Sequence, residues 1–511
     1  MLMTVLGASL HEILTRLKAQ PHLYPSIDVS YSPNEPLLAP VILTLPQNGI
    51  RLRFDGPDQR LRLIEVLDFT KTLLSYKNVD ILKLPEHQES FHQNKPSSKS
   101  TGPAFRHVYH RLFGPTFPGE YLPPDSSAQP QTGTYVLSYP GLAFSFPLQD
   151  AAWSGSQDFV SLLSSSAASP AQSLAIFNGS SWKDARQDLY SRACQHPRSL
   201  AITGRGREGV PDEIELVKIC GGGQLEMYRR SSTTFHLMLG ETTPQDLVAE
   251  LGPPDAIYRK NDRRLSIHKI RTRSRSDQQT SFADSPGRFD GLSDTDHSSV
   301  ITSADESDSG DAGIAPHSNG SEMSPECFYN YFHHGFDLFI SYPAGPSPGL
   351  TPSRMHSGEP AREPSANHLV VTKVLLHANV PGSYPFNRYR RSRWLLDAQQ
   401  IAGAGSMLTS ETPFSVLSQC LREVWRNTYT NTDEEKSLQR GMVLNRGWGN
   451  SPSSSCELIG GWEESADLPR KERAGPAGDS GPGLGNTELF GFPGLLFEVL
   501  KNDAIGCVTL Y

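Results

Sequence analysis

Apolar and polar positions alternate in short runs along the chain, and four of those runs begin at a glycine. They are Gly49-Ile50-Arg51-Leu52-Arg53-Phe54, Gly141-Leu142-Ala143-Phe144-Ser145-Phe146, Gly335-Phe336-Asp337-Leu338-Phe339-Ile340 and Gly494-Leu495-Leu496-Phe497-Glu498-Val499. A period of two is the mark of a strand with one buried face. Each glycine follows another strand-like stretch, at 41–45, 135–138, 328–332 and 488–490, so it stands where a hairpin turn calls for positive φ. In the first, third and fourth copies a further apolar strand follows, at 61–67, 369–377 and 505–511, which extends the hairpin to a three-stranded meander.

Helical spacing precedes each of these β segments. Leu10, Ile13, Leu14 and Leu17 line one face behind Ser9 and Glu12, which are placed as a capping box. Phe105, Val108, Tyr109 and Leu112 line a second helix that ends at Gly114-Pro115. Leu247, Val248 and Leu251 line a third between Thr243-Pro244 and Gly252-Pro253. Val416, Leu417, Cys420, Leu421 and Val424 line a fourth opened by Thr412-Pro413. The predicted class is α+β, with repeated helix-then-antiparallel-meander units packed as helix-on-sheet layers. The units are 1–85, 104–150 (helix and hairpin), 234–394 and 408–511, with a β-rich middle segment at 151–233. In that segment Gly221-Gly222-Gly223 reads as a hairpin turn, since no Lys-Ser or Lys-Thr follows it as a phosphate loop requires.

Composition adds the linkers. Residues 271–322 open with Arg271-Thr272-Arg273-Ser274-Arg275-Ser276 and continue in Ser, Asp and Gly, the make-up of a disordered insertion. The stretches 341–367, 431–486 and 86–103 are similarly rich in Pro, Gly, Ser or other polar residues. A net charge of −8 argues against broad electrostatic capture of nucleic acid. The six cysteines are scattered without a CxxC pair, so they read as reduced thiols, and neither a metal nor a cofactor is expected. No apolar run reaches the roughly 18 residues of a membrane span, and no basic-then-apolar leader is visible. A cytoplasmic protein is therefore expected, neither secreted nor transmembrane.

Candidate chemistry is sparse. His107 and His110 lack the acid and third ligand of a zinc-hydrolase helix, and His333 and His334 are neighbours in a strand-like stretch, where side chains alternate between faces. No nucleophile elbow, Walker loop, kinase set or paired-carboxylate motif is present, so no small-molecule substrate is expected and an unrecognised hydrolase is the remote alternative. One segment, 379–394, mixes aromatics with a basic cluster. Tyr384, Phe386, Asn387, Arg388, Tyr389, Arg390, Arg391 and Arg393 are the candidate contacts for an anionic headgroup or an acidic partner, because arginine forks match phosphate and tyrosine supplies amphipathic area. A plain loop with solvated or paired arginines is the competing reading.

The same residues carry a family resemblance. Asn330-Tyr331-Phe332, Gly335-Phe336-Asp337-Leu338-Phe339 and the run from Val374 to Asn387 resemble the central signature of the phagophore assembly factor family. Asn48 to Asp55 with Gln59-Arg60-Leu61, Phe117-Pro118-Gly119-Glu120-Tyr121, Phe497-Glu498-Val499 and Val508-Thr509-Leu510-Tyr511 resemble its other parts in the same order. The resemblance implies a non-enzymatic factor that joins a β-propeller partner on phosphoinositide-bearing membrane at the phagophore assembly site. A role in trans-Golgi trafficking is the alternative. It transfers no catalytic residue. The helix-then-meander order also resembles, at fold level only, small lipoproteins of bacterial outer-membrane assembly.

Overall fold

The computed structural model describes residues 5–82, 102–124, 132–155, 158–191, 213–230, 233–259, 325–343, 368–397, 408–426, 431, 441–445 and 486–511. Strands in largely antiparallel sheets dominate, and the helices are few and short. Most of the length read as insertions, including Arg271 to Ser276, lies outside the described residues.

The first large sheet joins two meanders. One is β1 (Asp28–Ser30), β2 (Val41–Leu45), β3 (Ile50–Phe54) and β4 (Leu61–Val66), flanked by a small hairpin of β5 (Ser75–Tyr76) and β6 (Val79–Asp80). The other is β7 (Glu120–Leu122), β8 (Thr132–Tyr139), β9 (Leu142–Gln149) and β10 (Ser173–Phe177). They meet through their last strands, β4 against β10, antiparallel with Ile64 opposite Ile176. The second large sheet repeats this order. Strands β14 (Ala256–Arg259), β15 (Cys327–Tyr331), β16 (Phe336–Ser341) and β17 (Val370–His377) meet β20 (Met442–Asn445), β21 (Asn486–Phe492), β22 (Leu495–Leu500) and β23 (Ile505–Leu510) through β17 and β23. Between them in sequence lie β11 (Ile214–Gly221), β12 (Gln224–Arg229) and β13 (Thr234–Met238). With β18 (Trp394–Leu396) and β19 (Leu408–Thr409) they form a five-stranded sheet, in which β11 and β18 run parallel.

The second unit is richer than the hairpin expected for it. Strand β10, taken in the sequence as part of the middle segment, pairs with Leu142–Ser145 of β9 and closes a four-stranded meander. Its helix also differs: α2 (Phe105–His107) loosens into a π-turn over Val108–Leu112 before Gly114 turns the chain at φ 84°. Gly221, Gly222 and Gly223 all take positive φ in the β11–β12 turn, as a hairpin turn there requires.

Helices cover the sheets where their apolar faces allow. Helix α1 (Leu10–Lys18), capped by Ser9, buries Leu10, Ile13, Leu14 and Leu17 against β2, β3 and β4. Four such residues are worth roughly 6–12 kcal/mol of transfer free energy before the entropy of ordering them. Leu162 and Leu163 of α3 (Phe159–Leu163) share a core with Phe105, Val108 and the β8–β9 face, and α4 (Trp182–Ala185) covers the opposite face at Phe177. Helices α5 (Pro244–Leu251) and α6 (Phe414–Val424) add Leu247, Leu251, Phe414, Leu417 and Leu421 to one core shared by the five-stranded and second large sheets. Helix α6 has no side-chain cap of its own at Pro413. The Asp503 carboxylate, from the β22–β23 turn, accepts the Ser415 N–H at 3.1 Å instead.

Candidate functional site

Segment 379–394 leaves β17 and turns repeatedly before entering β18. Asn379 (φ 49°) and Asn387 (φ 63°) adopt left-handed backbone, which asparagine tolerates better than most residues. The Asn379 Oδ1 accepts the Asn387 N–H at 2.7 Å, which ties the loop to itself.

The fold sorts the candidate residues into an inside and an outside. Arg388 is exposed, its guanidinium 5.6 Å above the Tyr389 ring. Tyr384 and Phe386 are half-buried, with Phe386 packed against the α1 core. Asn387, Tyr389, Arg390 and Arg391 are buried, and Arg393 is half-buried. The four arginines therefore do not share one exposed basic face. A guanidinium enters a protein interior only where carboxylates and carbonyls replace water, and here the turn between β3 and β4 supplies them together with Glu213, Ile214, Ala378 and Glu411.

That turn is met residue by residue. Arg391 Nε donates to the Pro57 carbonyl at 2.6 Å. Arg393 Nη1 donates to Asp58 Oδ1 at 2.6 Å. Gln59 and Asn379 exchange two bonds: Gln59 Nε2 donates to the Asn379 carbonyl at 2.9 Å, and Asn379 Nδ2 donates to Gln59 Oε1 at 2.7 Å. Arg60 Nη2 donates to Glu213 Oε2 at 2.7 Å, and Arg390 Nη1 lies 2.7 Å from the same oxygen. The Arg390 pair is ionic without an aligned hydrogen bond, whereas Arg390 Nη2 donates to the Ile214 carbonyl. Glu411, just before α6, accepts from Arg391 Nη2 at 3.0 Å and from Arg393 Nε at 2.9 Å. Five arginines (60, 62, 390, 391 and 393) thus stand among five carboxylates (Asp55, Asp58, Glu213, Glu215 and Glu411).

Burial works against the charges on Glu213 and Glu411, but the guanidinia outweigh it. Arg390 and Arg60 hold Glu213 down at about 2, and Arg391 and Arg393 hold Glu411 down at about 2. Apolar contacts flank the network: Leu37 on the first-unit side packs with Ala378, Val380, Leu500 and Ala504. The approach is close. A Cβ on Gly335, at φ 89°, would lie 2.3 Å from the Arg390 carbonyl oxygen. In chemical terms the site is a joint: it holds the first meander, the five-stranded sheet and the second large sheet together with neutralised charge.

The sequence reading missed Asp58, Glu213 and Glu411, because an ion pair between residues hundreds of positions apart leaves no local pattern. Gln59 and Arg60 did leave one, since they lie in a stretch that carries the family resemblance. Among the described residues no group of three or more His, Cys, Asp or Glu is placed to hold a metal ion. A cleft of about 340 Å³ lies between the Gly221-Gly222-Gly223 turn, Trp425 and Tyr511. Its described lining includes no Asp, Glu, His, Lys or Arg, so it offers a hydrolase none of those acids or bases.

Compared with known proteins, the chain matches the family described as phagosome assembly factor 1 over residues 1–283 and 365–511. The chain belongs to this family. Phagosome assembly factor family proteins of Arabidopsis thaliana and Drosophila melanogaster are each 24% identical to it. The alignments cover 99% of the chain and 89% and 90% of those proteins. A Caenorhabditis elegans member is 23% identical over 52% of the chain and 60% of its own length. No solved structure matches. The family is named for the assembly of the phagosome. Among the described residues no helix is long and apolar enough to cross a membrane.

Proposed function

We propose that the chain is a non-enzymatic adaptor that works at the phagophore assembly site, recruited from the cytoplasm to phosphoinositide-bearing membrane together with a β-propeller partner. The observation that carries this reading is the family match over nearly the whole length. The joint supports it in a specific way. Arg390, Arg391 and Arg393 are committed to Glu213, Glu411 and Asp58, so within segment 379–394 a contact with a lipid or partner falls to Arg388 and its half-buried neighbours Tyr384 and Phe386. One exposed arginine is a weak lipid anchor, which favours an indirect membrane contact through the partner.

We also read the four helix-led meanders as copies of one structural unit. The last strand of each is tied to its helix N-terminus by a backbone bond at or beside that strand: Leu10 N–H to Gln59, Ala171 N–H to Pro103, Val371 N–H to Thr242 and Phe414 N–H to Asp503. An experimental structure in which the four units failed to superpose strand for strand would remove this reading.

The functional test is to tag the chain, starve the cells, and record localisation and copurifying proteins for wild type and Arg388→Glu. Capture of a propeller protein with movement to phagophore puncta, weakened by the substitution, is the expected result. Diffuse signal with no partner would sink the proposal. Steady perinuclear signal with normal autophagic flux would replace it with trans-Golgi trafficking.

A further inference from the structure

Both large sheets carry eight strands in the same order. In the first, the face turned away from α1 is closed by α4 and the turns that follow it. Leu63, Val136, Ala143 and Phe177, from four adjacent strands, are buried there with Ala185, and Trp182 and Leu189 pack over them. The Trp182 and Phe177 rings lie 5.2 Å apart, and at the margin Arg186 Nη2 meets Glu120 Oε1 at 2.9 Å. The cover thus offers an aromatic, a small and an aliphatic side chain at i, i+3 and i+7, the spacing of one helical face.

The two faces of the second large sheet differ. Val374, Val508, Leu495 and Phe497 lie in the shared core, whereas Leu375, Thr509 and Leu496 alternate with them and stay half-buried. Leu375 stands opposite Thr509, and Thr509 opposite Leu496, so the three form a row across β17, β23 and β22. A second row lies beside it on the same face. Lys373, two residues before Leu375, stands opposite Phe339, Phe339 opposite Phe328, and Phe328 opposite Tyr258 on the edge strand β14. The two phenylalanine rings are 4.6 Å apart and half-buried, and Tyr258 is 62% exposed. Among the described residues none of these apolar side chains joins a buried cluster. Lys373 is exposed, with its Nζ 5.8 Å from the Phe339 ring, and forms no ion pair among the described residues. Tyr389 covers the face at Asn330, Asp337 and His377.

We propose that this face of the second large sheet docks a helical segment of a partner protein, one that presents an aromatic and smaller apolar side chains at i, i+3 and i+7 and a carboxylate toward Lys373. Contiguous apolar area left on a sheet face marks an interaction site, and an amphipathic helix is the element that fits it. The first large sheet supplies the precedent: a segment of that chemistry seats on its corresponding face and is pinned at the margin by an ion pair. Lys373 supplies the complementary charge on the second sheet, where the Phe339 ring holds it at the edge of the aromatic row. Neither Arg388 nor the phagophore reading enters into this docking.

The test uses the full-length chain in cells, with a benzophenone amino acid in place of Leu496 or, as a reference, of Leu73, which is 97% exposed. After illumination the cross-linked peptides are sequenced by mass spectrometry. The expected product joins position 496 to a segment of another protein with an aromatic and smaller apolar residues at i, i+3 and i+7, at a yield well above that from position 73. Leu375→Glu and Thr509→Arg, each at a half-buried position on this face, are expected to lower that yield about tenfold or more and to leave the yield at position 73 unchanged. The pattern from the otherwise unsubstituted chain decides the matter even where these substitutions prevent folding. Cross-links confined to the chain itself, cross-links between two copies, partner segments without that spacing, a yield at 496 no greater than at 73, or a yield that survives both substitutions would each overturn the proposal.

Discussion

Replacing Arg391 by methionine tests whether the joint is as buried as its geometry indicates. The Arg391 side chain has no solvent exposure, and it donates to the Pro57 and Ala378 carbonyls and to Glu411. Methionine keeps most of the volume, so the loss is mainly polar: the buried Ala378 and half-buried Pro57 carbonyls lose a donor and Glu411 loses one of two guanidinia. Breaking a buried pair from one side costs about 3–5 kcal/mol, whereas an exposed pair is worth about 1 kcal/mol or less. Glu411 gives an independent figure. Held at about 2 against an ordinary 4.5, its carboxylate binds fewer protons folded than unfolded between those values. Its contribution is thus present above pH 4.5 and lost as pH falls toward 2, and it amounts to about 3 kcal/mol. Equilibrium urea unfolding followed by circular dichroism should show Arg391→Met destabilised by about 3–5 kcal/mol at pH 7. The gap should narrow at pH 3, where the wild type has lost part of what the substitution removes. A cost below about 1 kcal/mol at pH 7, or a gap that does not change with pH, refutes the reasoning.

Gly335→Ala meets backbone at Arg390 and Ser392, while Gly382→Ala meets the tip of the Tyr31 side chain, which can swing aside. Urea midpoints should show costs of about 2–4 kcal/mol for the first and about 1 kcal/mol for the second, and equal costs would be wrong. Thr243→Ala opens the capping box of α5 and should cost about 1 kcal/mol in the same assay. Leu417→Ala, fully buried on α6, should cost about 2–5 kcal/mol and lower the thermal midpoint by several degrees. His11, pulled down to about 4 chiefly by burial, contributes stability that is present above its ordinary 6.5 and lost as pH falls toward 4. His11→Asn should flatten the fall of the melting temperature between pH 7 and 4.5, and an unchanged slope would count against it.

Much of the strand framework was legible because it is local. The glycine-led runs became β3, β9, β16 and β22, and the Leu10 to Leu17 stripe became α1. The edge strands β1, β7, β14 and β20 were not legible as strands of these meanders. They have three or four residues each and little alternation, and tertiary pairing defines them more than propensity does. The arginine cluster was found but its surroundings were not. Sequence shows charge at 388–393, yet burial is decided by Asp58, Glu213 and Glu411, whose approach only the fold reveals.

The distance between the partners in the joint has a consequence for synthesis. The turn Pro57 to Arg60 emerges from the ribosome early, while Asn379, Arg391 and Arg393 follow 320 to 335 residues later. At roughly 5–20 residues per second that interval lasts on the order of half a minute. Through it, Asp58 and Gln59 remain hydrated on a nascent first meander, whose strands and α1 can already pair, whereas Glu213, the partner of Arg60, follows after 153 residues. Closing so long a loop comes last and slowly. Any truncation before residue 393 strands the early half with its charges still waiting for partners, which makes it a natural substrate for chaperones.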